Sequence, residues 1–272
     1  MERCSFCRSE KFKKLFETFD NPILQCMRCG LVRTGGFKLP KYQEYHRDDD
    51  YLKYESHFRN IFEKRFKLIS KYKNSGRVLE IGASSGTMLD LFLKHGWITY
   101  GVEPSGAGKF AKAKGHRILR NEFEKANLKA NFFDVVILNH TLEHMMNPLS
   151  VLRKVRRILK KGGVVYIDVP NFASFSAIVS REWWKYLLPS EHIHHFTNRS
   201  LLKIVNKAGL RKVKVMTWSG FFDFANPFLY YWWSFTSGRI NFINDFIDIP
   251  GNFVATLLNR GTNLVIIAQK RK

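Results

Sequence analysis

A chain of 272 residues with 45% apolar and 25% charged residues has the length for one large α/β core plus a small appendage, and that balance excludes extended disorder. Lys and Arg number 45 against 23 Asp and Glu, a formal charge of +22 that invites a phosphorylated substrate, an anionic membrane surface or nucleic acid as partner. Biased amino-acid usage competes with that reading, because the charge is spread along the chain without a dense basic block.

Met1 leads into Glu2, Arg3 and Cys4 with no apolar run, so no secretory leader is expected. The cytoplasm is the expected compartment, with at most peripheral contact with a membrane. The four cysteines form Cys4-Ser-Phe-Cys7 and Cys26-Met-Arg-Cys29, two CxxC pairs separated by 18 residues. Each tight turn of that kind aims two sulfurs at one tetrahedral ion. Residues 1–40 are therefore expected to be a zinc-ribbon-like module in which Cys4, Cys7, Cys26 and Cys29 hold a structural Zn2+. Four sulfurs leave no open coordination position, so this zinc folds the module and does no chemistry.

Residues 41–74 read as linker and helical cover: Lys41 to Asp50 is polar, then Phe58, Ile61, Phe62, Arg65, Phe66 and Ile69 recur at helical spacing. From residue 75 onward, apolar runs at Val78–Gly82, Ile98–Val102, Arg117–Leu119, Phe133–Asn139 and Val164–Val169 read as buried strands. Helices are expected between them at Thr87–His95, Ala107–Lys114 and Pro148–Lys160, the last ended by Gly162-Gly163. Such alternation is the pattern of a parallel sheet covered on both faces. Lys212–Thr217 and Leu264–Ala268 read as an antiparallel pair at its edge, separated by an aromatic insertion over 218–259. That insertion either walls a substrate pocket, lies at a membrane interface, or packs as ordinary core or a dimer face.

Arg77-Val-Leu-Glu-Ile-Gly-Ala-Ser-Ser-Gly-Thr runs from a strand through a glycine-bearing turn into a helix. Gly82 serves the sharp turn and Gly86 a close backbone approach to a ligand, with Ala83 and Ser84 between them. Glu103, ending the second strand, is placed to accept hydrogen bonds from both ribose hydroxyls of an adenosine. Glu80, on the first strand, would repel a pyrophosphate but suits an ammonium group, which favours S-adenosylmethionine over NAD.

With Phe133-Asp-Val-Val-Ile-Leu-Asn-His-Thr-Leu-Glu-His, Asn147-Pro, Leu159-Lys-Lys-Gly-Gly and Val169-Pro-Asn following in order, the chain from about Ser75 to Gln269 resembles the class I S-adenosylmethionine-dependent methyltransferases. The resemblance implies an α/β Rossmann-like sheet of order 3-2-1-4-5-7-6, strand 7 antiparallel, over residues 75–272. It also implies cofactor binding by Glu80, Gly82, Ala83, Ser84, Gly86, Glu103 and Asn139. Ser84 departs from the pattern, since many relatives carry glycine there.

His140, Glu143 and His144 follow the fourth strand and either shape the pocket or bind a divalent ion. Similar ubiquinone-pathway O-methyltransferases carry Glu-x-x-Glu-His at this point, whereas His140 stands in place of their first Glu. Glu191-His192-Ile-His194-His195-Phe196-Thr197 resembles a segment of small-molecule methyltransferases, including zinc-ribbon sugar C-methyltransferases, whose matching histidine is the proposed base. The catalytic candidates are accordingly His192, Glu191 and His144, with packing as the competing role for His192. Asn198 is the expected cap of the next helix.

The expected function is methyl transfer to a small-molecule acceptor, a sugar or a lipid-linked intermediate. Two rivals stand beside it: an RNA or protein methyltransferase, and a non-catalytic protein that binds S-adenosylmethionine without turnover.

Overall fold

The computed structural model describes residues 3–18, 21–36, 55–220 and 249–271. The polar linker Lys41 to Asp50 and residues 221–248 of the aromatic insertion lie outside the described residues.

In chain order the described elements are β1 (Phe12–Glu17), β2 (Pro22–Cys26), β3 (Val32–Thr34), α1 (Glu55–Ser70), β4 (Arg77–Ile81), α2 (Thr87–Lys94), β5 (Ile98–Val102), α3 (Gly108–Ala113), β6 (Arg117–Leu119) and β7 (Phe133–Asn139). A 3-10 turn (Leu142–His144) follows, then α4 (Pro148–Ile158), β8 (Leu159–Pro170), α5 (Phe175–Ser180), β9 (His194–His195), α6 (Asn198–Lys207), β10 (Leu210–Trp218), α7 (Ile249–Leu257) and β11 (Asn263–Lys270). Seven strands form one sheet of order β10-β11-β8-β7-β4-β5-β6. β11 runs antiparallel to both of its neighbours, and β8, β7, β4, β5 and β6 are mutually parallel. This is the α/β Rossmann-like sheet that the resemblance implies.

The unbroken apolar runs of β4, β7, β8 and β11 arise because these strands are covered on both faces, where alternation has no use. On one face Phe62, Phe66 and Ile69 of α1 pack with Met88, Leu89 and Phe92 of α2 and with Trp97. On the other, Val151, Leu152, Val155 and Ile158 of α4 pack with Leu201, Ile204 and Val205 of α6.

Two local expectations are corrected. Gly162-Gly163 does not end α4: the helix stops at Ile158, Leu159 turns extended at φ −65° and ψ 140°, and both glycines lie inside β8. The ladder there steps from Phe133–Leu159 to Val135–Val164, and the excursion between uses Gly162 at φ +72°. The cap of α6 is Thr197, whose hydroxyl accepts from the Ser200 amide, while Asn198 is already helical.

The cysteine module forms a second sheet of order β1-β2-β3-β9. Its last strand comes from the segment after β8, so the two sheets share one stretch of chain. Buried Cys4, Cys26, Cys29 and Leu31 are continuous with the core that holds Leu201 and Ile204.

Candidate active site

The turn after β4 opens into a cavity of about 390 Å³ whose lining includes Glu80, Gly82, Ala83, Ser84, Glu103 and Asn139. Gly82 has φ +74°, and a Cβ on it would fall 2.9 Å from the Thr141 hydroxyl, so glycine is needed for close approach as well as for the turn. Thr141 holds this crossing by donating to the carbonyl of Ile81 at 2.9 Å. Gly86 begins α2 at φ +79°, but its missing Cβ would meet His116 at 2.7 Å and Ala111 at 3.0 Å. Its freedom serves helix entry and packing against those two side chains.

Glu103 is held in place by the loops around it. Its Oε2 accepts from the Ser84 amide and its Oε1 from the Ser105 amide, each at 2.8 Å. Each oxygen retains a lone pair for a ligand hydroxyl. Glu80 is buried, and its Oε2 has no hydrogen-bond partner. Burial, with the Glu103 charge adding to it, pushes the Glu80 carboxyl well above its usual range. An unpartnered buried acid beside a clamped one fits the two ends of S-adenosylmethionine, an ammonium for Glu80 and ribose hydroxyls for Glu103.

Asn139 ends β7 and accepts from Arg65 Nε at 3.2 Å. Arg65 also donates to Asp168 Oδ2, with Nε and Nη2 both at 2.9 Å, and both side chains are fully buried. Tyr166 adds a third donor to that oxygen at 3.0 Å. This bracing of the carboxyl ends of β7 and β8 was not anticipated. The available signal was Arg65 itself, a charge in the middle of the apolar stripe of α1.

His140, with φ +49°, faces Glu143 at 3.5 Å. Burial works to lower the His140 pKa, but the nearby Glu143 carboxylate and the Asp168 charge outweigh it and raise it. Glu143 is 1% exposed, and neither carboxylate oxygen has a hydrogen-bond partner. Burial works to raise its carboxyl, yet the His140 imidazole 3.5 Å away, with the His144 and His192 rings beside it, brings it below its usual range.

His144 Nδ1 lies 2.9 Å from the Glu191 carbonyl and His192 Nδ1 lies 3.0 Å from the Tyr186 carbonyl. A carbonyl only accepts, so each Nδ1 carries a proton, and the neutral His192 ring has its lone pair on Nε2. The rings meet edge to face at 4.8 Å between centroids. Burial holds His192 at about 4, which leaves it neutral near pH 7. His144 lines the cavity, and Glu191 meets it through its backbone carbonyl. Glu143, His144 and His192 offer donor atoms that all lie within 4.8 Å of one another, enough to hold a cation.

The four cysteines also converge within 4.8 Å of one another. Sulfur separations are 3.6 Å for Cys4–Cys29 and 3.4 Å for Cys7–Cys26. A tetrahedron with Zn–S bonds near 2.3 Å has edges of roughly 3.8 Å, so the set fits a zinc ion.

A family model for methyltransferase domains matches residues 54–215. An uncharacterized protein of Methanocaldococcus jannaschii is 23% identical over 167 residues, covering 61% of this chain and 80% of that one. A ubiquinone biosynthesis O-methyltransferase of Histophilus somni is 26% identical over 160 residues, covering 49% of this chain and 67% of that one. For the similar enzyme of Aeromonas salmonicida the share of the relative is 62%, so the chain spans about two thirds of the curated enzymes it matches. Among solved structures, a methyltransferase of Thermotoga maritima described as a possible histamine N-methyltransferase aligns with TM-score 0.57 and 21% identity, over 82% of this chain and 95% of that one. Phosphoethanolamine N-methyltransferase 2 of Haemonchus contortus, in complex with S-adenosyl-L-methionine, gives TM-score 0.64 at 15% identity, over 89% of this chain and 62% of that one. At such identities the solved structures speak for the fold.

Proposed function

This chain belongs to the methyltransferase domain family, and from that premise we propose that it methylates a small molecule seated between the cofactor loop and His192, a sugar or a lipid-linked intermediate. The carrying observation is one cavity that holds two differently prepared acids, Glu80 and Glu103, together with His144, whose ring meets the buried His192 ring edge to face behind it. S-adenosylmethionine supplies an activated methyl group to such a site. Glu80 would hold its ammonium and Glu103 its ribose, with the loop from Gly82 to Ser85 as the floor.

His192 is the assigned base. Its Nε2 accepts the acceptor's proton as the methyl arrives, and the buried Glu143 carboxylate stabilises the imidazolium that forms. His144 packs against it and orients the acceptor. A lipid-linked acceptor is favoured over a free sugar by Phe175, Ile178 and Val179 of α5, each more than half exposed on the segment that leads to Tyr186 and His192. Relatives named for ubiquinone biosynthesis point the same way, to O-methylation.

Methyl-labelled S-adenosylmethionine incubated with fractionated extract tests this. Label is expected in the small-molecule or lipid fraction; label confined to RNA or protein would favour the macromolecular rival, and binding without transfer the non-catalytic one. His192→Asn should cut turnover by roughly 10²–10⁴-fold with cofactor affinity retained.

A second reading rests on Glu143. Two histidine nitrogens and a buried carboxylate without hydrogen bonds are a donor set for a divalent ion of the first transition row. In that case Glu143, His144 and His192 would be ligands, and the ion would supply Lewis-acid chemistry that lowers the acceptor's pKa, in place of an imidazole that takes its proton. Metal beyond one ion per chain, lost in Glu143→Gln, would select this reading over the base.

A further inference from the structure

The cysteine module meets the segment that carries His192 along a short strand pair. β3 pairs antiparallel with β9, matching Val32 to His195 and Arg33 to His194. Thr34, fully buried, is the pivot of this seam. Its amide donates to the Ile193 carbonyl at 3.0 Å and its hydroxyl donates to the His192 carbonyl at 2.7 Å. The same oxygen lies 3.0 Å from His195 Nε2. With its one proton committed to a carbonyl, the hydroxyl must accept there, so His195 carries its proton on Nε2.

Ser5, between Cys4 and Cys7 in the first knuckle, lies 2.7 Å from His194 Nε2. Lys203 of α6 reaches the Cys29 carbonyl of the second knuckle at 2.9 Å. From the other side, the Ile193 amide donates to the Glu143 carbonyl at 3.0 Å and the Glu191 carbonyl accepts from His144. Ile23 and Val32 of the module pack with Trp184 and Leu187, which flank the Tyr186 carbonyl that fixes the His192 ring. Residues 191–195 therefore answer to the module on one side and to the reacting side chains on the other.

We propose that the cysteine module is a clamp for the methyl-transfer site, with Thr34 and Ser5 as positioning residues that set the segment carrying His192. The inference builds on the reading of His192 as a site residue, but it concerns only where that ring is held. Two observations favour a clamp over a free recognition domain. The β3 edge, which a recognition ribbon would offer to a partner, is occupied by β9, and three of the four cysteines belong to the main core. A metal bound by the cysteines keeps both knuckles closed on β9; without it the knuckles loosen and the seam loses its fixed side.

The test uses the full chain and needs no acceptor. Hydrogen exchange and histidine ring NMR signals are compared for the zinc-loaded protein, the same protein stripped by a strong chelator, and zinc-loaded Thr34→Val and Thr34→Ser. Thr34→Val strands two buried partners, so amides of 192–195 should exchange about tenfold faster or more and the His192 and His195 signals should shift. Zinc content and affinity for S-adenosylhomocysteine should stay within about twofold of the parent. Thr34→Ser keeps the hydroxyl and should restore both readouts. Stripping should release 191–195 ahead of β4 and β7. A Thr34→Val protein with parental exchange and ring signals, or a stripped protein whose 191–195 protection is unchanged, overturns the clamp. If Thr34→Val does not fold, Ser5→Ala carries the same expectation at His194. A clamp that passes while His192→Asn turns over normally refutes the base and leaves the clamp standing.

Discussion

Removing the Glu103 carboxylate tests the cofactor site at its best-defined point. Glu103→Ala would delete the acceptor proposed for two ribose hydroxyls and, in the same stroke, the anchor for the Ser84 and Ser105 amides, each held at 2.8 Å. A hydrogen bond to a charged group is worth about 1.5–3 kcal/mol, so two of them amount to about 3–6 kcal/mol. At 1.4 kcal/mol per decade, affinity should fall by roughly 10²–10⁴-fold. The freed loop adds to the loss, because its amides must be ordered again when ligand binds. Calorimetry with S-adenosylhomocysteine reads the affinity, and hydrogen exchange at residues 83–86 in the ligand-free protein separates loop damage from the missing ribose contacts. A folded variant that binds within about threefold of the parent would refute the assignment of Glu103 and the orientation of the adenosine with it.

The remaining predictions concern protons and metal. Glu80 is raised well above its usual range by burial, and a bound ammonium would favour its ionised form. Ligand binding should then release a proton and strengthen as pH rises, seen as a heat that varies with the buffer's ionisation enthalpy; a buffer-independent heat would count against Glu80 as the ammonium partner. Metal analysis should find about one zinc per chain, lost in Cys4→Ser or Cys26→Ser; because Cys4 and Cys26 lie in the main core, those variants should also melt lower. Burial holds His192 at about 4 and His194 at about 3, so the unfolded chain takes up their protons near pH 6.5 and the fold does not. Their contribution is fully present above about pH 6.5 and falls as pH drops, by about 2 kcal/mol per histidine between pH 7 and pH 5. Melting temperatures flat over that range would show that these rings ionise in the fold.

Most of the sheet could be read from the sequence because β4, β5, β7 and β8 are buried on both faces and announce themselves as apolar runs between amphipathic helices. The glycine pair at Gly162 misled for a local reason. A glycine that ends a helix and one that permits an excursion in a strand both sit at positive φ, and only the pairing of Leu159 with Phe133 tells them apart. The two acids that line the cavity, Glu80 and Glu103, were legible by position at the ends of their strands. Gly86 was legible as a glycine that must be one, but its cause lies in His116, a side chain on a different strand-to-helix unit. Arg65 was visible as a charge in an apolar stripe, yet its partner Asp168 is 103 positions away, and nothing local couples the two.

The seam between the module and the site marks where reading along the chain stops working. Cysteine spacing reports ligand geometry, since two sulfurs three positions apart must share a turn, but it says nothing about what the module leans on. That is decided by β9, two residues long, too short to announce itself by periodicity and named in the sequence only by its histidines. Both of those histidines, His194 and His195, bond hydroxyls of the module, Ser5 and Thr34. Buried neutral imidazoles suit that task because a ring nitrogen can meet a hydroxyl of the module without placing a charge in the core. His192 then differs from its neighbours in one respect. Its Nδ1 is tied to a carbonyl of its own segment and a donor atom of its ring lies within 4.8 Å of those of Glu143 and His144, so the segment that closes the module also holds the ring proposed as the base.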